Sequence, residues 1–489
     1  MSRVICASAR RRACVEGLEC RRLLAADLGY ALQLHSDGSD EATAVAVDRF
    51  GNQYVAGTFT GTLDANPSPR RQHLLPAVGL RDVFVAKYSP DGALLWAVTA
   101  GGVGDDRAMS IAVDRSGDAY VGGAFKGTAD FRPGRRTFAL TSAGGDDAFL
   151  WKLGAADGRL LNAVRGGGAG HEAVHALTVT PDNDVLATGV LGSASGATFG
   201  RTTLGSAGSD DILLLKTDAI LNVLLATRLG GSGADAGNGI ATDANGNFHV
   251  VGQFAGTVDF HPAASKVRNR TAAGATDAFA ITLDPAGSLG MATQFGGAGD
   301  AATASAVAVD RFGQLHVTGT FTGSPDFNVD PGTTTNLTST GNSDAFVAKL
   351  TPEGGLVWAR QAGTPSTGEG GGRGIAVDRP GNVYVGGDTV GATAFGTGTP
   401  TGDLSSPTAF VWKLNSLGAS VLARTFDSPA VVSPGPVYGY GVALNAAGAI
   451  FLAGSFEGNV DIDPGPASRV WQSGPSEFLP DGFVVQLVP

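Results

Sequence analysis

The chain has little cysteine, little charge and no long apolar run. Its three cysteines, Cys6, Cys14 and Cys20, all fall within the first 24 of 489 residues. The rest of the chain can therefore build neither a disulfide framework nor a cysteine zinc site. No run reaches the roughly 20 apolar residues of a membrane-crossing helix, so no span is expected. Charged residues make up 16%, against a usual share of about 25%. The net charge is −11, and basic charge gathers in the leader, where Arg3, Arg10, Arg11, Arg12, Arg21 and Arg22 face only Glu16 and Glu19. The body is more acidic than the whole. It has no basic footprint, which argues against nucleic acid as a partner. Also missing are a G-x-S-x-G elbow, a Walker loop and a helix-opening G-x-G-x-x-G. Glycine-rich strings such as GGVGDD (101–106) end strands, so no helix N-terminus stands ready for phosphate.

Glycine is abundant, with 74 residues, about twice its usual share. The apolar fraction of 43% is ordinary, and a disordered chain would not have it. Short strands joined by tight turns satisfy both observations. One pattern recurs seven times: AVAVDRFGNQYVAG, IAVDRSGDAYVGG, LTVTPDNDVLATG, IATDANGNFHVVG, VAVDRFGQLHVTG, IAVDRPGNVYVGG and VALNAAGAIFLAG. The closing glycines are Gly57, Gly123, Gly189, Gly252, Gly319, Gly387 and Gly454, spaced 63 to 68 residues apart. Each copy continues with a third strand (DVFVAKY, DAFLWKL, DILLLKT, DAFAITL, DAFVAKL, TAFVWKL, DGFVVQL) and then a fourth, such as LLWAVTAGG. Alternation with period two between Gly, Pro and Asp punctuation predicts strands throughout. Four strands repeated radially predict an all-β, seven-bladed β-propeller with four antiparallel strands per blade. The repeats start near residues 41, 106, 172, 236, 302, 370 and 437. The seventh copy lacks a fourth strand, and LGYALQLHSDG (28–38) aligns with the fourth strands. The N-terminal strand is thus expected to complete the last blade, leaving residues 1–27 as a targeting or disordered leader and 28–489 as the propeller.

The aVDxxGNxYVxG hairpin, the DxFVxKL strand and the Trp-Ala strand resemble the SBBP beta-propeller repeat of bacterial surface proteins, over roughly residues 28–489. That resemblance implies a propeller in an extracytoplasmic setting and no defined activity. LECRRLL (Leu18–Leu24) is similar to the LEPR-x-LL sequence near the start of many planctomycete surface and secreted proteins, with Cys20 in place of proline. It implies export to the exterior or the cell surface.

Connections between strands one and two, and three and four, are tight and share one face. Those between strands two and three are long, with 24 residues between Gly57 and Asp82. Longer loops on a rigid scaffold make the better binding surface. They carry an FxGxxDF pattern and the carboxylates Asp130, Asp259, Asp326, Asp330, Asp461 and Asp463. These are candidate calcium ligands, set against the simpler role of turn formers. His171-Glu172-Ala173-Val174-His175 reads as HExxH, but its phase places it on a strand. Two histidines four apart there lie about 13 Å from each other, too far to share one zinc. His249 and His316 stand where other copies have Tyr54, Tyr120, Tyr384 and Phe451, which marks a packing position. Lys87, Lys152, Lys216, Lys349 and Lys413 recur at one place and are expected to lie along a neighbouring strand. His35, His73 and His261 show no partner pattern. The sequence thus describes a non-catalytic, monomeric, secreted or surface module that needs no cofactor, with an acidic long-loop face for protein or carbohydrate. The alternative is a hydrolase or lyase with a metal in the central channel. It would need acidic, Asn or His side chains on the axis, where the runs VAV, IAV, ALTV and IAT are small and apolar.

Overall fold

The computed structural model describes residues 27–68, 70–132, 136–262, 266–328, 333–363, 368–396, 406–428, 435–465, 468–474 and 479–488. The arginine-rich leader with its three cysteines, and Asp330, lie outside the described residues. Every regular element within them is a strand. In the first repeat these are Asp40–Val47, Gln53–Phe59, Asp82–Tyr88 and Leu94–Gly102, each antiparallel to the next. The first strand alternates between buried and half-buried residues, whereas the second and third are buried along their whole length. The alternation expected of every strand thus holds in burial for the first strand only, because the middle strands are covered on both faces.

The first strands of successive repeats are Asp40–Val47, Arg107–Val113, Glu172–Val179, Ala236–Thr242, Ala302–Val309, Gly370–Val377 and Val437–Leu444. Each packs against the next, and the last packs against the first. Sheets radiating from a cycle of inner strands make a β-propeller arrangement. The N-terminal strand Asp27–Leu34 pairs antiparallel with Asp481–Val488, in a sheet that continues through Ile450–Phe456 to Val437–Leu444. Tyr30 lies opposite Gln486 as Trp96 lies opposite Lys87 and Trp358 opposite Lys349. The apolar core is divided among the interfaces between consecutive repeats. One cluster joins Tyr54, Val83 and Trp96 to Ile111, Phe149 and Trp151, and another joins Phe451 and Val484 to Leu34, Phe59 and Phe84.

Local chemistry explains the repeated polar residues. Asp48 Oδ1 accepts the amides of Phe50 (2.8 Å) and Asn52 (2.9 Å), closing the first turn. Where the repeat departs from Asp, the substitute does the same work: Asn445 Oδ1 accepts Ala447 and Ala449, and Thr180 Oγ1 accepts Asp184. The aspartate opening the third strand accepts the amide four residues earlier, as Asp82 does from Val78, Asp147 from Ala143 and Asp211 from Ala207. The recurring lysines do more than lie along a strand. Lys87 Nζ donates to the Ala155 carbonyl of the next repeat (2.9 Å) and Lys152 Nζ to that of Ala219 (2.9 Å). Each also sits over a tyrosine of its own repeat, Tyr54 (4.7 Å) and Tyr120 (4.9 Å). They clamp one repeat onto its neighbour.

The long connections form short hairpins, such as Thr62–Asp64 with Leu74–Pro76 and Asn459–Asp461 with Val470–Gln472. Each hairpin reaches back to the end of the preceding repeat's fourth strand. Gly101 pairs with Asp130, Gly166 with Phe199, Gly230 with Asp259, Gly296 with Asp326 and Ala362 with Phe395. His35, just past the N-terminal strand, pairs likewise with Asp64 of the first repeat. His35 also gains a side-chain partner that its sequence context does not suggest: Nδ1 lies 3.0 Å from Asp481 Oδ2.

Asp40, at the start of the first inner strand, is fully buried. Burial pushes its pKa from 3.8 up to about 8, with Ser36 pulling against the shift. Between those two values the folded chain holds a proton that the unfolded chain has released, so stability falls as pH climbs from about 4 to about 8. Asp40→Asn, nearly isosteric and uncharged, is expected to flatten this slope and raise the melting temperature at pH 8. Thermal melts of both chains from pH 4.5 to 8.5 check it; parallel curves would show that Asp40 does not titrate in this window.

Candidate binding face at the axial mouth

The described loop carboxylates fall in four repeats, the second, fourth, fifth and seventh. Asp130 Oδ1 accepts the amides of Arg132 and Phe138, Asp259 those of His261 and Arg268, and Asp326 those of Asn328 and Thr335. Asp461 accepts Asp463 and Arg469, while Asp463 accepts Gly465. Each of these oxygens stitches the base of its own loop. No group of three His, Cys, Asp or Glu side chains placed to hold a metal occurs among the described residues. The HExxH segment runs along the strand Glu172–Val179. Glu172 is buried and accepts the Gly168 amide, and exposed His171 faces Asp210. His249 and His316 are buried, bonded to Thr282 and Asp310 respectively.

One structural feature lies just outside the recurring motif. In every repeat, the pairing of first and second strands skips one residue near the start of the first strand. The skipped residues are Thr43, Met109, His175, Asn238, Ser305, Arg373 and Tyr440. A bulge of this kind frees a side chain from the sheet and re-aims it. Seven equivalent positions thus carry seven different residue types, directly beside positions that scarcely vary. Six of the seven are half-buried, and Arg373 is exposed. Several reach the adjacent inner strand: Thr43 Oγ1 donates to the Ala108 carbonyl (2.8 Å) and Asn238 Nδ2 to that of Ala304 (3.1 Å). Burial holds His175 below the usual histidine range, with a hydrogen bond to the Asn238 side chain opposing it. These positions fall near the starts of the inner strands, at the end of the cycle where the long connections emerge; this end is the mouth.

The closing glycines explain the bulge. A Cβ at Gly57, Gly123, Gly189, Gly252, Gly319, Gly387 or Gly454 would collide with the carbonyl oxygen of Glu41, Arg107, Ala173, Ala236, Thr303, Gly371 or Tyr438, the residue two before each bulged position. Glycine within a strand marks such a close backbone approach. The closing glycine is therefore the sequence signal for the bulge, although the residues it presents lie just upstream of the recognisable motif.

The mouth is chemically lopsided. On one arc Met109, Ala124, Ala173, Val190 and Ala236 pack together as an apolar patch. On the opposite arc, formed by the sixth, seventh and first repeats, Arg373 holds Asp388 through two contacts, Nε–Oδ1 at 2.8 Å and Nη2–Oδ2 at 3.3 Å. Beside them the rings of Tyr438 and Tyr440 stack 6.3 Å apart at 8°, and the Tyr440 hydroxyl is 3.1 Å from Ser455 Oγ. Glu41 and Glu457 complete this arc. Burial raises the Tyr440 pKa, and Glu41 adds to it. Burial also raises that of Glu457, with Glu41 again contributing.

A family model described as a beta-propeller repeat (SBBP) matches residues 357–392, from the fourth strand of the fifth repeat through the second strand of the sixth. No curated protein sequence matches the chain. Among solved structures, BamB from Moraxella catarrhalis is similar at 12% identity and a TM-score of 0.38, over 94% of this chain and 100% of that one. A quinohemoprotein alcohol dehydrogenase from Comamonas testosteroni aligns at 10% identity and 0.42, over 95% and 77%. A structure of YCF48 bound to D1 peptide aligns at 10% and 0.39, over 94% of each chain. At these identities and scores, nothing about activity carries over from them.

Proposed function

We propose that the chain is a non-catalytic, seven-bladed ring, closed by its N-terminal strand and displayed outside the cell or on its surface. Its long-loop face binds a protein or glycan partner around the axial mouth. One observation carries this reading: the seven bulged residues are the place where a sevenfold scaffold becomes chemically asymmetric. Residues shared by all copies serve the blade, whereas a ring of Thr, Met, His, Asn, Ser, Arg and Tyr gives the axis a distinct recognition surface. The competing hydrolase or lyase reading needs carboxylates and histidines converging on the axis. His175 is the one histidine among the bulged residues, and its side-chain neighbour is Asn238.

Screening against a glycan array and a displayed random-peptide library, followed by hydrogen-exchange mapping of the bound state, tests the proposal. Ligands are expected to protect the segments around residues 41–44, 373–374, 388 and 438–441. Protection confined to the tight-turn face around Asp48, Asp114 and Asp378 would refute it, as would silence in both screens.

A further inference from the structure

We infer that the axial mouth takes a lysine or arginine side chain from a protein partner, its cation resting on Tyr438 and Tyr440 and between Glu41 and Glu457. The inference rests on the binding-face reading above and names its ligand. The chain itself shows what its tyrosines do with cations. Tyr54, Tyr120 and Tyr384 each carry an intramolecular lysine over the ring, at 4.7, 4.9 and 5.0 Å. Among the described residues no lysine or arginine sits over Tyr438 or Tyr440 in this way. Arg373, beside them, is held in its two-point contact with Asp388. Glu41 and Glu457 form no ion pair among the described residues. Both carboxylates would attract an incoming positive charge. An aromatic face bordered by carboxylates is the arrangement that holds ammonium and guanidinium groups. It disfavours uronate or sulfated glycans, whose charge the two glutamates repel. Across the mouth, half-buried Met109, packed on Ala124, Ala173 and Val190, is an apolar contact for the aliphatic neighbours of such a side chain.

The probe is a blocked, fluorescein-labelled heptapeptide of alanine and leucine with a central lysine, read by polarisation. It is compared with peptides in which arginine, norleucine or glutamate replaces that lysine. The lysine and arginine peptides are expected to bind, and the norleucine and glutamate peptides to bind about tenfold more weakly or worse. Glu41→Gln with Glu457→Gln should lose a similar factor, as should Tyr440→Leu, while Tyr440→Phe should stay within about twofold of wild type. Asp91→Asn, in a turn on the opposite face, should change nothing. Thermal melts establish that each variant is folded. Equal binding of the norleucine peptide, or undiminished binding by the double glutamine variant, would overturn the inference. Should the screens instead yield uncharged ligands that protect the mouth, the binding face stands and the cation fails. Ligands protecting only the tight-turn face would remove both.

Discussion

Removing residues 1–34 is expected to lower the melting temperature by about 10 °C or more, or to leave a chain that no longer folds as a monomer. The N-terminal strand supplies the fourth strand of the sheet containing Asp481–Val488. Leu32 and Leu34 are 4% and 1% exposed, and both join the cluster with Phe59, Leu63 and Phe84 of the first repeat. Losing two such side chains costs about 2–5 kcal/mol each. Gln33 Nε2 donates to fully buried Asp481 at 2.7 Å, and removing that partner costs about 1–3 kcal/mol more. Set against a total stability of about 5–15 kcal/mol, the sum is most of the reserve. The deletion also bares the edge of Asp481–Val488, a template for pairing with another copy, so dimers should appear in size-exclusion chromatography. A synthetic peptide spanning residues 27–38, added in trans, should pair with that edge and restore much of the loss. If the truncated chain melted with the intact one, the N-terminal strand would contribute nothing to ring closure.

How much of this is legible in the sequence follows from where the repeat is strict. The strand phases are, because the second and third strands are buried on both faces and mostly apolar, with polar residues such as Lys87 and His316 at fixed places in the repeat. That phase alone places HExxH on a strand, and it aligns Tyr30 with Trp96 across 66 residues. Turn aspartates are readable for the same reason, and even Thr180 and Asn445 keep the amide-accepting oxygen. The mouth is not, because aligning the repeats rewards agreement and Thr43, Met109, His175, Asn238, Ser305, Arg373 and Tyr440 agree in nothing. The runs VAV and IAV that make the axis look small and apolar begin two residues beyond the bulge, so they omit the bulged residues. The back-reaching hairpins are hidden too. Pairs such as Gly230 with Asp259 join adjacent repeats, and no pattern within one repeat encodes them.

Gly319→Ala is expected to cost about 3 kcal/mol, near the top of the usual range for overpacking a filled interior. The added Cβ would meet the Thr303 carbonyl oxygen, with the Ala304 Cα and a Phe346 ring carbon each at 2.9 Å. Two of these are backbone atoms and the third belongs to a fully buried ring, so none can swing aside. Gly127 is the matched control. It has φ +74° and nothing within 4 Å of the place a methyl group would take, so Gly127→Ala meets only the backbone strain of the left-handed region, about 1–2 kcal/mol. Urea denaturation of the two variants separates the mechanisms, and equal costs would mean that the close approach does not exist. The collision has a second consequence, because the simplest relief is to draw the first strand away and unmake the bulge. Ser305 would then return to the ladder, and hydrogen exchange over residues 303–306 should report it. The same substitution at Gly387 or Gly454 should destabilise by a similar amount. Those two glycines hold the bulges of Arg373 and Tyr440, so peptide binding at the mouth should fall there and persist in Gly319→Ala. Stability would be lost alike in all three variants, and recognition only in the two whose bulges carry the charged and aromatic arc.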